Sequence, residues 1–591
     1  MLAVGLVQRT VLAPPSSVDL SVTTQTSAPL TVIEGSTLLT HSGRQTLTID
    51  GSDVVTAAYG RTTDVYAWVG DASYNLITVD PDTGELVSTY HAGADTEVPS
   101  IADSDLWYDD FQDQQHLRLS VTLPEDDAML IAADGTEPAP AKVAISWPLD
   151  DSTPWSGPLI IGGAILLVFG LVMLLIAIYR MRNQHGPRRK MPKLPRQKTI
   201  RSVRPATRTP AKGGPATVIV LLLAAGAIGL GGTSPARAAD TPTPTPSGGT
   251  SGESSLPVPA VTTPQLDRIV DRVKKAVAQA DSDLDPTVAA TRMTGPALEL
   301  KTADYALLSK DSAATVASPA IPADAIVKLD LPQQIPADTA AWPRSVMVVL
   351  GPAETTQDTP TQAPTAAATD VPTDAATDAT VAPSGQAYVV LMLVQASPRE
   401  NYKVDYLLTL QSAIPEVAAP TVGAALLAPD SPLLSMAPRQ VGTGYADILA
   451  NDAASTAAAS YDLSTDNLAA AWGVAAQTAE QQAQQGLASP NKVAYQTVAG
   501  TGDVIVLATT DAGALVTATV RQTMNVTPGE SGAKVVAQGD VLTLSGVERS
   551  TKGYSVTYGG QVLFYVPALD SDEPITVLAY AQGLLSATEL P

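Results

Sequence analysis

Short stretches in which apolar and polar residues alternate recur through the first 150 residues. Clear examples are residues 30–33, 46–49, 65–69, 117–121 and 143–147. Alternation with a period of two places every second side chain on one face of a strand, and the valine and threonine content of these stretches favours the same conformation. Turn sequences such as Asp50-Gly51 separate them. The pattern predicts an all-β sandwich, or a barrel, over residues 17–150.

Two longer apolar runs follow this region. The first, residues 158–179, holds 22 residues without a charge, and a helix of that length spans about 33 Å, enough to cross a hydrocarbon core of roughly 30 Å. Trp155 and Tyr179 flank it, as aromatic residues do at membrane interfaces. The second run, residues 214–233, is shorter and richer in glycine. The sequence predicts two transmembrane helices.

The charge of the chain is strongly segregated. Its formal net charge is -24, yet residues 180–213 contain 12 of the 35 lysines and arginines and no acidic residue. The positive-inside rule places this basic segment in the cytoplasm as a loop, with the regions on both sides outside. Because the segment is proline-rich and has no interleaved aromatic residues, we do not expect it to bind nucleic acid. The residues expected to face the lipid headgroups are Arg180, Arg182, Arg188, Arg189, Lys190 and Lys193.

The second apolar run also has the pattern of a signal peptide placed inside the chain. A basic stretch precedes it, and Ala236 and Ala238 follow it with the small-x-small spacing of a signal-peptidase site. Cleavage after Ala238 would release the C-terminal half, and an uncut helix is the alternative. Residues 1–10 are expected to be the remnant of an N-terminal membrane helix.

The C-terminal half begins with a Thr/Pro-rich segment, residues 240–263, which predicts a disordered linker. Residues 264–420 then read as helices followed by strands, with a helix capped by Thr263, a second helix at 295–308 and a disordered insertion at 352–385. Residues 440–588 repeat this order, and their predicted strands include 541–544. The sequence therefore predicts tandem α+β units, each with helices packed on a curved antiparallel sheet.

Few residues offer catalytic chemistry. The chain has no cysteine, and its four histidines, at positions 41, 91, 116 and 185, all precede residue 214. Thiolate nucleophiles and histidine bases are therefore excluded from the C-terminal half, and no catalytic residue or cofactor is predicted. One acidic cluster could bind calcium through carboxylate oxygens, and a solvated acidic loop is the alternative interpretation. The cluster consists of Asp103, Asp105, Asp109, Asp110 and Asp113.

Three further features carry a resemblance: the sequence GLVQRTVLAPP at residues 5–15, Ala341-Trp342-Pro343-Arg344, and PRENY at residues 398–402. With the two apolar runs around a basic loop, they make the chain resemble an uncharacterised family of actinobacterial membrane proteins, some of which carry glycosyltransferase names. The two C-terminal units also resemble cystatin-like or nuclear-transport-factor-like cones. This resemblance implies an exported, membrane-tethered protein of unknown activity and transfers no catalytic residue.

The sequence thus predicts a multi-pass protein of the plasma membrane with most of its mass outside the cytoplasm. We expect a non-enzymatic binding or scaffolding role, with the cytoplasmic membrane and an envelope protein or glycan as partners. The alternative is an envelope glycan-active enzyme, either glycosyltransferase-like or a hydrolase that uses paired carboxylates. A third hypothesis is regulation, in which the basic loop senses anionic lipid or a cytoplasmic partner.

Overall fold

The computed structural model describes residues 3, 15–24, 27–95, 98–135, 137–149, 156–183, 256–353 and 388–591. The chain divides into two compact units. One unit comprises Met1–Pro14 and Asp151–Glu253, and the other comprises Pro15–Asp150 and Ser254–Pro591. The β-rich N-terminal region and the C-terminal region therefore belong to one compact unit, although more than a hundred residues of chain separate them.

The first unit is described through a single helix, Ser156–Asn183. Among the described residues it is the one helix long and apolar enough to cross a membrane, with a mean hydropathy of 3.0, and Arg180 and Arg182 lie in its last turn. The predicted apolar helix over residues 158–179 is confirmed. The remaining predictions for this part of the chain fall outside the described residues: the remnant helix at 1–10, most of the basic loop, the apolar run at 214–233, Ala236 and Ala238, and the linker before residue 256.

The prediction of a β-rich N-terminal region is confirmed. Its eight strands are β1 (Ser17–Thr23), β2 (Leu30–Glu34), β3 (Gln45–Arg61), β4 (Tyr74–Val79), β5 (Leu86–His91), β6 (Asp109–Val121), β7 (Asp127–Ala132) and β8 (Lys142–Pro148). They form one sheet in the order β1-β8-β3-β7-β2-β4-β5, with β6 paired to β3, and the β2–β4 pair is parallel.

This arrangement is a nearly closed barrel rather than the two facing sheets of the predicted sandwich. The long strand β3 pairs with β6 on one side and with β8 and then β7 on the other, which keeps all strands in one hydrogen-bonded sheet. β1 and β5, at the two ends of the strand order, lie in contact. One core takes residues from all eight strands, among them Leu47, Ile131 and Trp147.

Residues 65–69, predicted as a strand, are helical. They lie in α2 (Thr62–Val69), which follows a one-turn helix, α1 (Gly35–Leu38). Val65, Trp68 and Val69 are buried, and their spacing of three and four residues fits one face of a helix as well as a strand pattern. They pack in a second core on the outside of β2 and β7 with Trp107. The helix from Ser156 to Asn183 is α3.

The C-terminal region opens with three helices: α4 (Thr263–Asp283), α5 (Pro286–Ala289) and α6 (Gly295–Leu308). The predicted helix at 295–308 is confirmed at both ends. The cap of α4 is Thr262 rather than the predicted Thr263, because Thr262 and Gln265 exchange the two hydrogen bonds of a capping box. Buried Leu266, Ile269 and Val273 give α4 an apolar face.

Ten strands form the main C-terminal sheet, and their order is β10-β12-β13-β14-β22-β21-β18-β16, with β15 on β22 and β17 on β18. They are β10 (Ile326–Pro332), β12 (Arg344–Gly351), β13 (Val389–Gln395), β14 (Lys403–Leu410), β15 (Tyr461–Asp462), β16 (Asn491–Ala499), β17 (Val506–Ala508), β18 (Ala514–Pro528), β21 (Tyr554–Val566) and β22 (Ile575–Glu589). Two short ladders join β9 (Val258–Pro259) to β11 (Gln334–Ile335) and β19 (Val535–Val536) to β20 (Arg549–Ser550). The insertion predicted at 352–385 lies outside the described residues from residue 354 on.

Four more helices belong to the last part of the chain: α7 (Pro438–Asn451), α8 (Asn467–Trp472), α9 (Val474–Gln485) and α10 (Gly539–Ser545). Single 3-10 turns lie at Asp452–Ala454 and Ala458–Ser460. The strand predicted at residues 541–544 is wrong, because these residues form α10. Asp540 lies in the first turn of this helix, and Gly546, in a left-handed conformation, ends it. These helix-terminating residues outweigh the strand preference of a short apolar run.

The two predicted α+β units share one continuous sheet that folds back on itself. Only two residue pairs join β14 to β22, at Thr409–Tyr580 and Leu410–Ala579. One core packs α4 and α6 on one face of β12–β14, and another packs α7 and α8 on one face of β18, β21 and β22. A third core joins the opposite faces of both sets of strands, including Met392 and Leu563. The helices and sheets therefore stack in four layers, which explains why every residue of β12 is buried.

Candidate functional site at the junction of the two folded regions

Asp64 in α2 is the first of two buried carboxylates that connect residues 15–149 with residues 256–591. It accepts hydrogen bonds from Arg61, at 3.0 and 2.7 Å, and from both terminal nitrogens of Arg344. Asp64 is 4% exposed and Arg344 is 1% exposed. The Arg344 guanidinium also lies 3.9 Å from the centre of the Trp342 ring. A charge-assisted bond of this kind, shielded from water, is strong and specific in direction.

Asp105 is the second buried carboxylate. Arg272 donates to its Oδ1 at 3.0 Å, and Arg292 and the backbone amide of Tyr402 donate to its Oδ2. The backbone amide of Asp105 in turn donates to Asn401 at 2.9 Å. Two arginines and a backbone N–H satisfy the carboxylate without water, since its side chain is fully buried. Three segments of the C-terminal region thus hold one residue of the N-terminal region.

Backbone carbonyls of the N-terminal region accept further bonds across the junction. Arg399 donates to Trp68 and Val69, both at 2.8 Å, at the C-terminal end of α2, where carbonyls lack helical partners. Arg268 donates to Trp107 and Tyr108. A cation at this end of a helix is also favoured by the helix dipole. The junction is therefore a continuous polar interface and not a flexible connection.

Two of the three motifs that carried the family resemblance, at residues 341–344 and 398–402, lie at the junction, whereas residues 5–14 of the third are outside the described residues. Trp342 and Arg344 contact α2 and its surrounding core, and Arg399, Asn401 and Tyr402 contact α2 and the loop before β6. Sequence reasoning did not assign them a role, because their partners lie 280 or more positions away in the chain. Their roles became visible only through these contacts.

The five residues of the calcium hypothesis are not brought together as metal ligands. Asp105 is bound to two arginines, and Arg272 also approaches Asp103 at 3.3 Å and Asp110 at 3.9 Å. Asp109, Asp110 and Asp113 lie along β6. Throughout the described residues, no group of three or more acidic, histidine or cysteine side chains is arranged to hold a metal ion. Arginine side chains supply the positive charge that the hypothesis assigned to calcium.

A cleft of about 760 Å³ opens beside the Asp64 cluster, and we call it the junction cleft. Both folded regions contribute to it. Its walls come from the N-terminal region at Glu34, Ser36, Arg61, Thr62, Thr63, Tyr108, Pro124, Glu125, Asp126 and Asp127, and from the C-terminal region at Val258, Ala337 and Asp338. Five carboxylates and one guanidinium make it strongly acidic.

Several polar groups of the junction cleft have no partner among the described residues. Asp127 is 7% exposed, yet its carboxylate makes no hydrogen bond or ion pair there. Burial, assisted by the neighbouring Asp126, raises the pKa of Asp127 to about 6. Nη1 of Arg61 and the hydroxyls of Thr62 and Thr63 are buried and also unpaired. Arg61 Nη1 and the two threonine hydroxyls have almost no accessible surface, so neither water nor a ligand in the cleft can contact them. Of these four groups, the Asp127 carboxylate is the one that a ligand in the cleft could reach.

Tyrosines at the cleft keep their protons at neutral pH. Burial raises the pKa of Tyr108 to about 12. Burial, together with a 2.6 Å hydrogen bond donated to Glu34, raises the pKa of Tyr66 still further. The Tyr108 hydroxyl is therefore available as a hydrogen-bond donor. None of these cleft residues was assigned a role from the sequence, although Glu125-Asp126-Asp127 is its one run of three consecutive acidic residues.

The chain belongs to the family described as "Domain of unknown function (DUF8094)", which matches residues 257–589. The match includes Arg272, Arg292, Arg344 and Arg399 but begins after the N-terminal residues that these arginines bind. No curated protein and no solved structure matches the chain.

Proposed function

We propose that the protein is a membrane-anchored, extracytoplasmic binding protein of the bacterial cell envelope, and that the junction cleft is its binding site. The observation that carries this proposal is the set of buried ion pairs between residues 15–149 and 256–591, above all Asp64–Arg344 and Asp105–Arg292. These pairs fix the positions of the cleft walls. They also limit the ways in which the chain can pass through a membrane.

The buried ion pairs also constrain how many times the chain crosses a membrane. Two regions that share buried ion pairs must lie on the same side of a membrane. If α3 crosses it after residue 156, the chain must return before residue 256. The apolar run at residues 214–233 is the candidate for this second crossing. The 12 basic residues between the two crossings then favour a cytoplasmic loop, with both folded regions outside.

Binding is favoured over catalysis because the groups of the junction serve to fix geometry. Asp64 and Asp105, the two most buried carboxylates of the junction, are each neutralised by two arginines and are closed to a substrate. Carboxylates that are not held in this way, such as that of Asp127, line the wall of the cleft. Asp127 on this wall has no partner among the described residues, so its carboxylate is free to accept a ligand without a prior rearrangement of the cleft.

Labelling of single cysteines tests the sidedness, and the chain suits it because it has none of its own. Thr83→Cys and Ser531→Cys place thiols at exposed positions of the two folded regions, and Ser202→Cys places one in the basic segment. In intact cells a membrane-impermeant maleimide should label positions 83 and 531, whereas position 202 should react only after permeabilisation. Labelling of position 202 alone, or of only one folded region, would contradict the proposal.

A glycan hydrolase is the second candidate function, because five carboxylates line one cleft and the raised pKa of Asp127 suits a proton donor. Prolonged incubation of the purified chain with oligosaccharides, followed by mass spectrometry, separates the two functions. A binding protein leaves the oligosaccharides intact. If the wild-type chain produces oligosaccharide fragments and the Asp127→Asn variant does not, the protein is a hydrolase and the binding proposal is wrong.

A further inference from the structure

A hollow of about 360 Å³ lies between α9 and the strands β16, β18 and β21, and we call it the α9 hollow. It belongs to the C-terminal region alone and shares no residue with the junction cleft. The side chains that give it chemical character are Trp472, Tyr495, Tyr558, Glu480, Gln477 and Gln522, and the rest of its lining is apolar.

Glu480 is the one charged side chain among the described residues that line the hollow. It is partly exposed, so a ligand in the hollow can reach it. Its Oε1 accepts a hydrogen bond from Gln484 at 2.9 Å, and it forms no ion pair within the described part of the chain. Burial, assisted by the charge of Glu480, raises the pKa of Tyr558 and raises the pKa of Tyr495 to about 12. Both tyrosines are therefore neutral, and the hollow has a negative charge without a positive partner.

Two glutamines turn their nitrogens away from the hollow. The side-chain nitrogens of Gln477 and Gln522 donate to the backbone carbonyl of Trp472, at 2.7 and 2.9 Å. They also donate to Leu449 and Thr497, at 3.0 and 3.2 Å, so both N–H groups of each amide are used. Neither amide oxygen accepts a hydrogen bond from a described residue. These oxygens are available to a donor in the hollow, and Gln477 is the more exposed of the two side chains.

Three aromatic rings complete the hollow. Trp472 and Tyr558 meet edge to face, with their centroids 6.3 Å apart. In this arrangement the ring that presents its edge keeps both faces clear of its partner. Tyr495 is partly exposed on β16. A positive charge within about 6 Å of such a ring face is attracted by it, and tryptophan attracts it most strongly.

These groups select among ligand classes. An anion would be repelled by Glu480, and a neutral alcohol would leave that carboxylate without a counter-charge. A guanidinium pairs best with both oxygens of a carboxylate, but Gln484 already occupies one of them. A quaternary ammonium has a charge but no N–H for the amide oxygens. A primary ammonium is compact and has both a charge and three N–H donors.

The surroundings of the hollow suit an aliphatic chain attached to the ammonium. A second hollow of about 490 Å³ adjoins it, and Met524 lines both. Leu487 and Val536, two large apolar side chains that are 49% and 45% exposed, lie on the second hollow. A chain that leaves the α9 hollow past Met524 would cover this apolar surface.

We infer that the α9 hollow binds a primary ammonium group on an aliphatic chain, with Glu480 and the amide oxygens as acceptors and the three aromatic rings around the charge. A free alkylamine and the lysine side chain of a partner protein share this chemistry. The site is separate from the junction cleft and adds a second ligand to the proposed binding role.

Fluorine NMR of the full-length chain in detergent, with tryptophan replaced by a fluorinated analogue, tests the inference. The Trp472 signal is the one missing from Trp472→Phe. We expect Nα-acetyl-lysine methylamide to shift this signal saturably. Its Nε-acetylated form, which has lost the charge, should bind about tenfold more weakly or worse. Its Nε-trimethylated form, which keeps the charge but has no N–H, should bind about threefold more weakly or worse.

Three variants make the test specific. Glu480→Gln keeps the shape of the side chain but removes its charge, and should weaken binding about tenfold or more. Tyr495→Leu removes a ring and should weaken it about threefold or more. Glu530→Gln changes an exposed glutamate outside the hollow and should leave binding unchanged. Because Glu480 has no ion pair to lose and glutamine suits a helix, Glu480→Gln should melt with the wild type.

The inference is overturned if the lysine derivative leaves the Trp472 signal unchanged, if either modified form binds as tightly, or if Glu480→Gln and Tyr495→Leu bind like the wild type. Preferential binding of butyrate would also overturn it. Titration with n-butylammonium distinguishes the two sources of the ligand. Equal affinity for n-butylammonium supports a site for free alkylamines, whereas tighter binding of the lysine derivative supports a lysine side chain of a partner.

Discussion

Asp64 and Arg344 form a buried ion pair across 280 positions of the chain, and the guanidinium that completes it also covers the ring of Trp342. The pair joins a helix of the N-terminal barrel to the first strand residue of β12. With the Asp105 cluster it turns two regions that are distant in sequence into one compact unit.

Asp64→Asn should be strongly destabilising. It leaves the buried Arg344 and Arg61 without a counter-charge, and removal of one partner of a buried pair costs roughly 3–5 kcal/mol. Chemical denaturation monitored by tryptophan fluorescence measures the loss, with Asp82→Asn at an exposed turn as the control. The double variant Asp64→Leu with Arg344→Met should lose less free energy of unfolding than Asp64→Leu and Arg344→Met lose in total as single variants. Strict additivity would show that the pair is not coupled.

Gly295→Ala should destabilise the start of α6 for two separate reasons. Gly295 has φ +50°, and a Cβ atom there would lie 2.0 Å from Oδ1 of the buried Asp405. We expect a loss of about 3 kcal/mol, from left-handed backbone strain together with overpacking. Gly84→Ala is the matched control, because Gly84 has φ +69° and no atom lies within 4 Å of its added Cβ. If Gly295→Ala and Gly84→Ala lose the same stability in thermal unfolding, the contact between the added Cβ and Asp405 has no effect.

The stability of the chain should depend on pH through Asp405. Burial, with a smaller effect of Asp503, raises the pKa of Asp405 to about 7, and its Oδ2 has no hydrogen-bond partner within the described part of the chain. The folded state therefore holds this proton more tightly than the unfolded chain, whose aspartate pKa is about 3.9. The stabilisation is complete below pH 4 and is lost as the pH rises through 7.

Asp405→Asn should remove this dependence. Above pH 7 the variant is expected to exceed the wild type by about 2 kcal/mol, because it buries no charge. Melting temperatures of both proteins between pH 5 and pH 8 check the expectation, with the exposed Asp324→Asn as the control. Parallel curves for the wild type and Asp405→Asn would mean that this carboxyl titrates normally.

The two folded regions should stay together after the chain between them is cut. A site for a sequence-specific protease placed between residues 240 and 255 allows cleavage in vitro, and it imitates the cut after Ala238 that is one of the two interpretations of the sequence there. The fragments should co-elute in size-exclusion chromatography in detergent, because the buried ion pairs are independent of the connecting segment.

A control variant distinguishes this association from retention in a shared detergent micelle. Asp64→Asn combined with Asp105→Asn removes both buried carboxylate charges, so the cut fragments should separate. Separation of the wild-type fragments, or co-elution of both proteins alike, would show that the junction does not hold the regions together.

Local patterns predicted those elements whose residues have one consistent period. The helix Gly295–Leu308 and the apolar helix over residues 158–179 are in the structure where the sequence places them. The failures are short apolar runs, at residues 65–69 and 541–544, which form helices instead of strands. Runs of four or five residues fit either period, and neighbouring turns and packing decide between them.

The amino-acid sequence by itself determined the periodicity of the strands, the length of the apolar helix and the separation of basic from acidic segments, because each is a property of neighbouring residues. The tertiary structure alone decided that Asp64 and Asp105 are bound to arginines, that Asp127 lies in an acidic cleft with no partner among the residues the structure describes, and that the two regions form one unit. These facts depend on contacts between residues hundreds of positions apart. The sequence does not show whether an aspartate side chain contacts an arginine or faces a cleft. Only the fold determines which of these surroundings it has.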